Sequence, residues 1–341
     1  MAKPSYSQPA EWQPHSHCWL AFPYSQELWG AHLACAQAEF RELVRTICKS
    51  EQVCVLVPDT LHLKLAQELL PLPVQFFVVP FGDIWMRDIA PIFVTDPSKG
   101  AIAAHAFQWN GWGHKYLLPG DEGVAQAVAQ LAGVPLVRFD FVLEGGAVEV
   151  DGLGTCLTTK QCLLNPNRNP HLSQAEIEQK LRTALGVSHV LWLEAGLRND
   201  HTDGHIDTIA RFVAPHTVMC MLTDDRTDPN YRVLRDIHEQ LRGLRDATDT
   251  PLRVVTIPSP HTVLDDRGEL LPASYLNFYI ANEAVIVPTY GVAHDRQAVA
   301  EIAKFFGNRQ TVGLPAWHIL LGGGAFHCIT QQQPALRKDG T

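Results

Sequence analysis

Residues 321–334 read LGGGAFHCITQQQP, a run of three glycines followed four residues later by a cysteine. Glycine has no side chain, so Gly323 and Gly324 leave room for another group to approach the backbone. A thiolate is the most nucleophilic group that a side chain offers, provided that its pKa is brought down from about 8.5, and Cys328 is therefore a candidate nucleophile. Taken alone, the pattern also fits a buried structural cysteine on a strand, and residues elsewhere in the chain have to decide between the two.

Polar residues recur along the chain at nearly even intervals, at the ends of apolar, strand-like runs. They are Asp88, Glu144, His205, Asn277 and Cys328. Short strands alternate with single helices throughout, without a linker or a low-complexity segment, which indicates an α/β fold. Five strand–helix units, each bringing one polar residue to a common centre, would explain the spacing. We therefore predict a single catalytic domain over residues 1–341. Its polar C-terminal tail, at about 335–341, is expected to fray, with fraying that begins at Gln331.

The composition narrows the class of protein and its partners. The chain has 341 residues, of which 46% are hydrophobic and 18% charged, so a folded globular protein is expected. A net charge of −9 argues against nucleic acid and anionic membranes as partners. No apolar run reaches the roughly 18 residues of a membrane span, and the N-terminus has no apolar signal core, so we expect a cytoplasmic location. The sequence does not decide between a monomer and a homo-oligomer.

Cysteines give no sign of a disulfide framework or a zinc ribbon. The eight cysteines lie singly in apolar runs, and no CxxC pair occurs. In a cytosolic chain of this size, most of them are expected to be small buried side chains.

Asp203, His205 and Asp207 alternate with Gly204 and Ile206, so on a strand the three polar side chains would share one face. Carboxylates on either side favour the imidazolium form of the histidine, which could then hold or deliver a proton near neutral pH. A metal site built from His201, Asp203 and His205 is one alternative. Histidines four residues apart converge on a helix, however, whereas the glycine and β-branched residues here favour a strand. A solvated loop is the other alternative.

Three more segments are candidates for a binding site. Trp85-Met86-Arg87-Asp88 places an Arg–Asp pair beside an indole, although such pairs are often structural ion pairs. Glu144-Gly145-Gly146 puts a carboxylate beside backbone that a ligand could approach, although alone it is an ordinary turn. The aromatic loop 109–116, which contains Trp109 and Trp112, fits either a lid over a cation or a packed surface loop.

Together these segments resemble the agmatine deiminase group, which includes bacterial peptidyl-arginine deiminases, within the guanidine-modifying superfamily. The resemblance spans nearly the whole chain and is carried by motifs in a shared order: Pro9-Ala10-Glu11-Trp12-x-Pro14-His15, Trp85-x-Arg87-Asp88-x-x-Pro91, Glu144-Gly145-Gly146, Thr202-Asp203-Gly204-His205-Ile206-Asp207, Tyr275-x-Asn277-Phe278-Tyr279 and Gly322-Gly323-Gly324-x-x-His327-Cys328-Ile329-Thr330-Gln331-Gln332. It implies a five-bladed α/β propeller, the pentein-type fold with pseudo-fivefold strand–helix repeats. It also implies hydrolysis of a guanidinium to a ureido group with release of ammonia, without metal or cofactor.

The resemblance also implies a role for each site residue. Cys328 would attack the guanidinium carbon, and His205 would protonate the departing ammonia and then activate water. Asp88 and Asp207 would hold the guanidinium nitrogens by charge-assisted hydrogen bonds, and Glu144 would fix His205. Elementary chemistry agrees, because a guanidinium is planar, always cationic and rich in donors, and therefore calls for several carboxylates.

The other end of the substrate is less well defined by sequence. Agmatine deiminases usually have Asn where this chain has Thr208 and Ala325. Since the chain is acidic and no arginine motif near the site offers a clamp for a carboxylate, we predict a small guanidine with a second cation, most simply agmatine. Its ammonium could lie on an indole of Trp85, Trp109 or Trp112. Deimination of free or peptidyl arginine, the metal-dependent hydrolase and a non-enzymatic guanidine-binding protein are the competing hypotheses.

Overall fold

The computed structural model describes residues 6–336, and within them sixteen short strands form five small sheets. The strands are β1 His15–Ala21, β2 Gln52–Val57, β3 Val74–Val78, β4 Ile92–Asp96, β5 Ala101–Gln108, β6 Leu136–Val142, β7 Glu149–Val150, β8 Thr155–Thr159, β9 His189–Leu193, β10 Ala210–Ala214, β11 Thr217–Leu222, β12 Arg253–Pro258, β13 Tyr279–Ile280, β14 Ala284–Thr289, β15 Gln310–Pro315 and β16 Gln331–Pro334. Four of the sheets are built alike, from three consecutive strands each: β4–β6, β7–β9, β10–β12 and β13–β15. In each of them the first pair is antiparallel and the second pair is parallel. The repeat predicted from the spacing of polar residues is therefore present.

Helices form the crossovers that the parallel pairs require. Within the described residues the α-helices are α1 Gln26–Trp29, α2 Leu33–Ile47, α3 Thr60–Leu69, α4 Met86–Ile89, α5 Gly111–His114, α6 Asp121–Leu131, α7 Lys160–Leu163, α8 Gln174–Leu185, α9 Tyr231–Arg242, α10 Asp295–Ala303 and α11 Trp317–Leu320, and 3-10 turns span Gly30–His32, Gly145–Ala147 and Ile206–Thr208. The crossovers contain α2, α6, α8, α9 and α10. Local signals set several boundaries: Asp59 caps α3, and Ser173 with Glu176 forms a capping box on α8. No helix among residues 6–336 combines the length and the apolar composition that a membrane crossing needs.

The fifth sheet is assembled from the two ends of the chain. Strand β16 pairs antiparallel with β1, placing Gln332 opposite Cys18, and β1 then pairs in parallel with β2. The prediction that the chain frays from Gln331 was wrong. Gln333 accepts a hydrogen bond from the indole of Trp19 at 2.9 Å. This polar strand can be buried because the side-chain amide oxygens of its glutamines are hydrogen-bonded. Residues 337–341 of the expected tail lie outside the described range.

Four of the inner strands, β2, β8, β11 and β14, are nearly continuous runs of buried residues, as expected for strands covered on both faces. The last strand of each sheet lies at its edge and contains exposed residues.

Five connections, each leading into the antiparallel strand of a sheet, bring the predicted site residues together. The strands are β4, β7, β10, β13 and β16, and the residues a few positions before them are Asp88, Glu144, His205, Asn277 and Cys328. Asp88 lies in α4, Glu144 and His205 immediately precede 3-10 turns, and Asn277 and Cys328 lie in loops and turns, so none of the five lies in a strand. Because these residues lie outside the strands, their side chains do not have to follow the alternating directions of a sheet, and the five can converge on one centre.

Candidate active site

Cys328 is held in place by the side chain of Asn277. The Asn277 amide oxygen accepts hydrogen bonds from the backbone N–H of Cys328 at 3.2 Å and of Ala325 at 3.1 Å. Its amide nitrogen donates to the Cys328 sulfur at 3.1 Å and to Asp207 at 3.2 Å. One amide therefore fixes both the sulfur and a neighbouring carboxylate, which lies 3.5 Å from the sulfur.

The glycine triplet makes room for this arrangement. A Cβ on Gly324 would lie 2.9 Å from the Cys328 sulfur and 2.8 Å from the Trp85 ring, and a Cβ on Gly322 would lie 2.6 Å from the same ring. Gly323 has a φ of 109°, which favours glycine. Gly323 and Gly324 both line the cavity that contains the sulfur, as predicted.

Two aspartates lie close to the sulfur and are bonded differently. Asp88 accepts from the backbone N–H of Gly146 at 2.9 Å and from the Trp112 indole at 2.8 Å, and burial raises its pKa. Trp112 reaches this carboxylate from a left-handed backbone, with φ 51°. Asp207 has one oxygen 2.7 Å from His327 Nδ1 and the other without a partner. Although burial would raise its pKa, the hydrogen bond and charge of His327 lower it.

His205 is fully buried between carboxylates but bonded to neither of them. Its Nδ1 lies 3.9 Å from Asp88, its Nε2 lies 4.0 Å from Glu144, and neither nitrogen has a hydrogen-bond partner. Burial opposes the charged ring, yet Asp88, Cys162 and Glu144 outweigh it and raise the pKa of His205. Arg168 holds Glu144 by a 2.7 Å bond to one oxygen, while the other oxygen is unpartnered. The site thus presents a proton carrier that favours its charged form.

The same surroundings keep the nucleophile protonated in the absence of a cation. Burial raises the pKa of the Cys328 thiol, and the charges of Asp207 and Asp88 raise it further. A positively charged ligand between them would reverse the electrostatic part of this effect.

The prediction that Asp203, His205 and Asp207 share one face of a strand was wrong. The segment forms a turn followed by the 3-10 helix Ile206–Thr208, so only His205 and Asp207 enter the site. Asp203 faces the other way and binds Lys115 at 2.6 Å and Arg168 at 2.9 Å.

The metal alternative built on His201, Asp203 and His205 loses its geometry as well. His201 lies at the cavity wall near Tyr116. Within residues 6–336, the set of three donors close enough to share an ion is Glu144, Cys162 and His205, whose ligand atoms lie within 4.8 Å of one another.

A cavity of about 390 Å³ leads from Cys328 and Asp88 to the surface. Its lining is aromatic near the sulfur and charged at the mouth: Trp29, Trp85, Trp112, Tyr116, Asp83, His32, Asp265, Asp266 and Arg267. Trp85 and Trp112, both predicted to contact substrate, lie in the cavity wall. Trp109, also predicted to contact substrate, is not among the lining residues; it packs edge-on against Trp112, with ring centroids 4.6 Å apart. Arg267 places one arginine at the mouth, where the sequence had suggested none.

A profile of the Porphyromonas-type peptidyl-arginine deiminase family matches residues 7–334. The chain belongs to this family. The putative agmatine deiminase of Legionella pneumophila (strain Paris) is 38% identical, over 98% of this chain and 97% of the relative. The agmatine deiminase of Medicago truncatula is 36% identical, over 97% of both chains. The solved structure of the agmatine deiminase of Enterococcus faecalis, described as catalysing its reaction, is 33% identical and gives a TM-score of 0.93, over 97% of this chain and 96% of that one.

These likenesses confirm the family resemblance and the five-bladed α/β propeller. The departures from the agmatine deiminase pattern lie beside the site without lining the cavity. Thr208 is buried, and its hydroxyl donates to the backbone oxygen of His205 at 3.0 Å. Ala325 is buried and contributes the backbone N–H bonded to Asn277. Both residues therefore shape the loops of the deiminase site and not its walls.

A second group of buried charges, which we call the structural cluster, lies behind Asp207. It consists of Glu11, Glu149, Arg211 and His327. His327 links the two groups, since its Nε2 lies 2.9 Å from Glu11 while its Nδ1 contacts Asp207. Arg211 binds Glu11 at 2.7 Å and Glu149 at 3.1 Å, and its remaining donors meet backbone oxygens.

Sequence reasoning missed this cluster and misassigned Arg87. The Arg87 side chain does not pair with Asp88; it binds the side-chain oxygens of Gln331 and Gln332 at 3.1 and 2.7 Å. The position of His327, immediately before the cysteine, was a signal that could have been used. The distant partners of Arg87 left no such signal.

Proposed function

We propose that this chain hydrolyses the guanidinium group of agmatine to give N-carbamoylputrescine and ammonia, with Cys328 as the covalent nucleophile. The observation that carries the proposal is the Cys328 sulfur 3.5 Å from the Asp207 carboxylate, in a cavity of about 390 Å³ walled by indoles. A thiol beside buried carboxylates is chemically useful when its ligand is a cation. We further propose that one catalytic domain performs the reaction, without metal or cofactor.

Recognition of the guanidinium would fall to Asp88 and Asp207. Both are buried, and one oxygen of Asp207 lacks a partner, so it can accept an N–H from the ligand. Bidentate and charge-assisted bonds of this kind suit a planar guanidinium. The bound cation would also favour the thiolate of Cys328, because opposite charge nearby lowers the pKa of a thiol.

His205 would act as acid and then as base. In the first step a C–S bond forms, the bond from the guanidinium carbon to one terminal nitrogen breaks, and His205 donates the proton with which ammonia leaves. Cys328 then carries a thiouronium. Water attacks the same carbon and His205 accepts one of its protons. The C–S bond then breaks to release the ureido product, and the second proton of the water leaves with the sulfur, which returns as the Cys328 thiol. Glu144, 4.0 Å from His205, would keep the imidazolium favoured.

The substrate assignment draws on the relatives named agmatine deiminase and on the charge of the cavity. Asp83, Asp265 and Asp266 outnumber Arg267 along its outer wall. An α-carboxylate buried there without a partner would cost several kcal/mol. We therefore expect agmatine to exceed arginine by at least about 100-fold in kcat/KM, or about 2.7 kcal/mol.

The test is ammonia release from agmatine, arginine, an arginine blocked at both ends and a methylarginine, each assayed with and without a strong chelator. Agmatine should be preferred and the chelator should have no effect. If arginine or blocked arginine is turned over as efficiently as agmatine, the substrate assignment is wrong, although the deiminase chemistry stands. Loss of activity with chelator and recovery with metal would support the metal-dependent hydrolase, and absence of ammonia from all four would leave only a guanidine-binding protein.

A further inference from the structure

Asp83 is a carboxylate in the cavity wall that the proposed chemistry does not use. One of its oxygens accepts a hydrogen bond from the Trp29 indole at 3.1 Å, and the other accepts from the Trp85 indole at 2.8 Å. Among residues 6–336 no lysine or arginine forms an ion pair with it. Burial raises its pKa to about 6, so it is mostly ionised at neutral pH. A charged group held only by neutral donors retains the capacity to bind a cation.

Trp85 connects this carboxylate to the reactive sulfur. The six-membered ring of the indole packs against Gly322 and Gly324, beside Cys328, while its N–H meets Asp83. Trp29 lies stacked against Trp85, with ring centroids 6.3 Å apart and planes 28° from parallel. A substrate that reacts at Cys328 and runs along this indole therefore brings its other end towards Asp83.

The other carboxylates of the outer cavity are held differently. One oxygen of Asp265 accepts from the backbone N–H groups of Arg267 and Glu269, both at 2.8 Å. Asp266 lies 3.1 Å from His32 and is largely exposed. Asp83 differs from both because each of its oxygens accepts from an indole N–H, in the wall of the cavity.

We propose that Asp83, held between the indoles of Trp29 and Trp85, binds the ammonium at the end of the substrate distant from the guanidinium and so selects amine-terminated guanidines. This inference rests on the proposed deiminase function. A terminal ammonium would bind a carboxylate and also lie near two indole rings, which attract cations. A substrate carboxylate in the same position would face like charge.

The experiment compares agmatine with n-butylguanidine, which has the same chain length but no ammonium, in the wild-type protein and in Asp83→Asn. We expect the substitution to lower kcat/KM for agmatine by about 10- to 100-fold, mainly through KM, the size of losing a hydrogen bond to a charged group. For n-butylguanidine the change should stay within about threefold. Asp140→Asn is the matched control, because it removes the same charge at an exposed ion pair with Lys180, outside the cavity lining.

Equal losses for both substrates in Asp83→Asn would mean that Asp83 only supports the tryptophans, and an unchanged value for agmatine would equally overturn the inference. If the variant does not fold, the wild-type protein decides. Agmatine should exceed n-butylguanidine by at least about 10-fold in kcat/KM, and 1,4-diaminobutane should inhibit at least about 10-fold more tightly than butylamine. Equal values would contradict the proposal. A wild-type protein that releases ammonia from neither guanidine would overturn the deiminase function itself, and the role of Asp83 with it.

Discussion

Two groups of buried charges meet at His327, and their hydrogen bonding differs sharply. In the structural cluster, both oxygens of Glu11 and of Glu149 are bonded, and Arg211 uses each of its nitrogens. In the reactive cluster, formed by Asp88, Glu144, His205, Asp207 and Cys328, four polar atoms have no partner. They are the two ring nitrogens of His205 and one carboxylate oxygen each of Glu144 and Asp207.

The difference distinguishes the structural cluster, which stabilises the fold, from the reactive cluster, which has free hydrogen-bonding capacity for a ligand. Buried polar groups normally find partners, so unpartnered ones in a native protein call for an explanation. Here they belong to three buried residues grouped with Asp88 and Cys328, which themselves line the cavity, and this suggests that substrate and water complete their bonding. We therefore expect substitutions in the reactive cluster to change activity more than folding, and those in the structural cluster to do the reverse.

Cys328→Ser should give the largest effect. A serine hydroxyl is hardly ionised where a thiolate is required, so kcat should fall by about 10³-fold or more while the melting temperature stays unchanged. Ammonia release and thermal unfolding measure the two. Mass spectrometry of the wild-type protein, quenched with acid during turnover of agmatine, should detect the thiouronium adduct on Cys328. Appreciable activity in Cys328→Ser would exclude the covalent mechanism.

Arg211→Met should lower the free energy of unfolding by about 3–5 kcal/mol, because it removes the buried cation that lies between Glu11 and Glu149 and leaves Glu149 without an ion-pair partner. Urea denaturation gives the value. Arg235→Met is the control. This arginine is half-exposed on α9 and forms a long, exposed ion pair with Asp224 at 3.7 Å, so its loss should cost no more than about 1 kcal/mol. Similar losses in the two variants would contradict the assignment of Arg211 to a structural role.

Asp88→Asn should affect folding less than Arg211→Met, and removal of the ionisable carboxyl should give the variant a stability advantage at neutral pH that it lacks in acid. Burial raises the folded-state pKa of Asp88, so ionisation of this carboxyl costs stability above that pKa. The advantage of the variant should shrink as the pH falls through the folded-state pKa and vanish below the unfolded-state pKa, about 3.9. Denaturation of both proteins across pH measures this difference, and an advantage that grows on acidification would show that the sign is wrong.

Local patterns predicted the repeats of the fold but not its closure. Apolar runs indicated that short strands alternate with single helices, and the structure has this alternation. They failed for Gln331–Pro334, whose stability depends on Trp19 and Arg87, far away in the sequence. A polar strand cannot be recognised from composition when its partners are set by tertiary structure.

The site was predicted in the same uneven way. The convergence of five residues was predictable, because motif order and residue type together indicated it. They are Cys328, His205, Asp88, Asp207 and Glu144. The alternation around His205 was misread, since period two also arises in a turn that leads into a 3-10 helix. Trp109 and Trp112 are three residues apart in one loop, and only the left-handed backbone at Trp112 decides which indole enters the cavity.

The pairing of β16 with β1 has a consequence for the biosynthesis of the protein. The strand that completes the first sheet, and Cys328 three residues before it, are translated after the other four sheets. Strand β1 emerges early and then waits, with one edge unpaired, while the intervening four sheets are translated. A nascent or C-terminally truncated chain therefore exposes that edge and lacks the thiol. The thiol is translated just before the strand that pairs with β1. A chain that ends before Cys328 therefore cannot attack guanidinium groups in the cell.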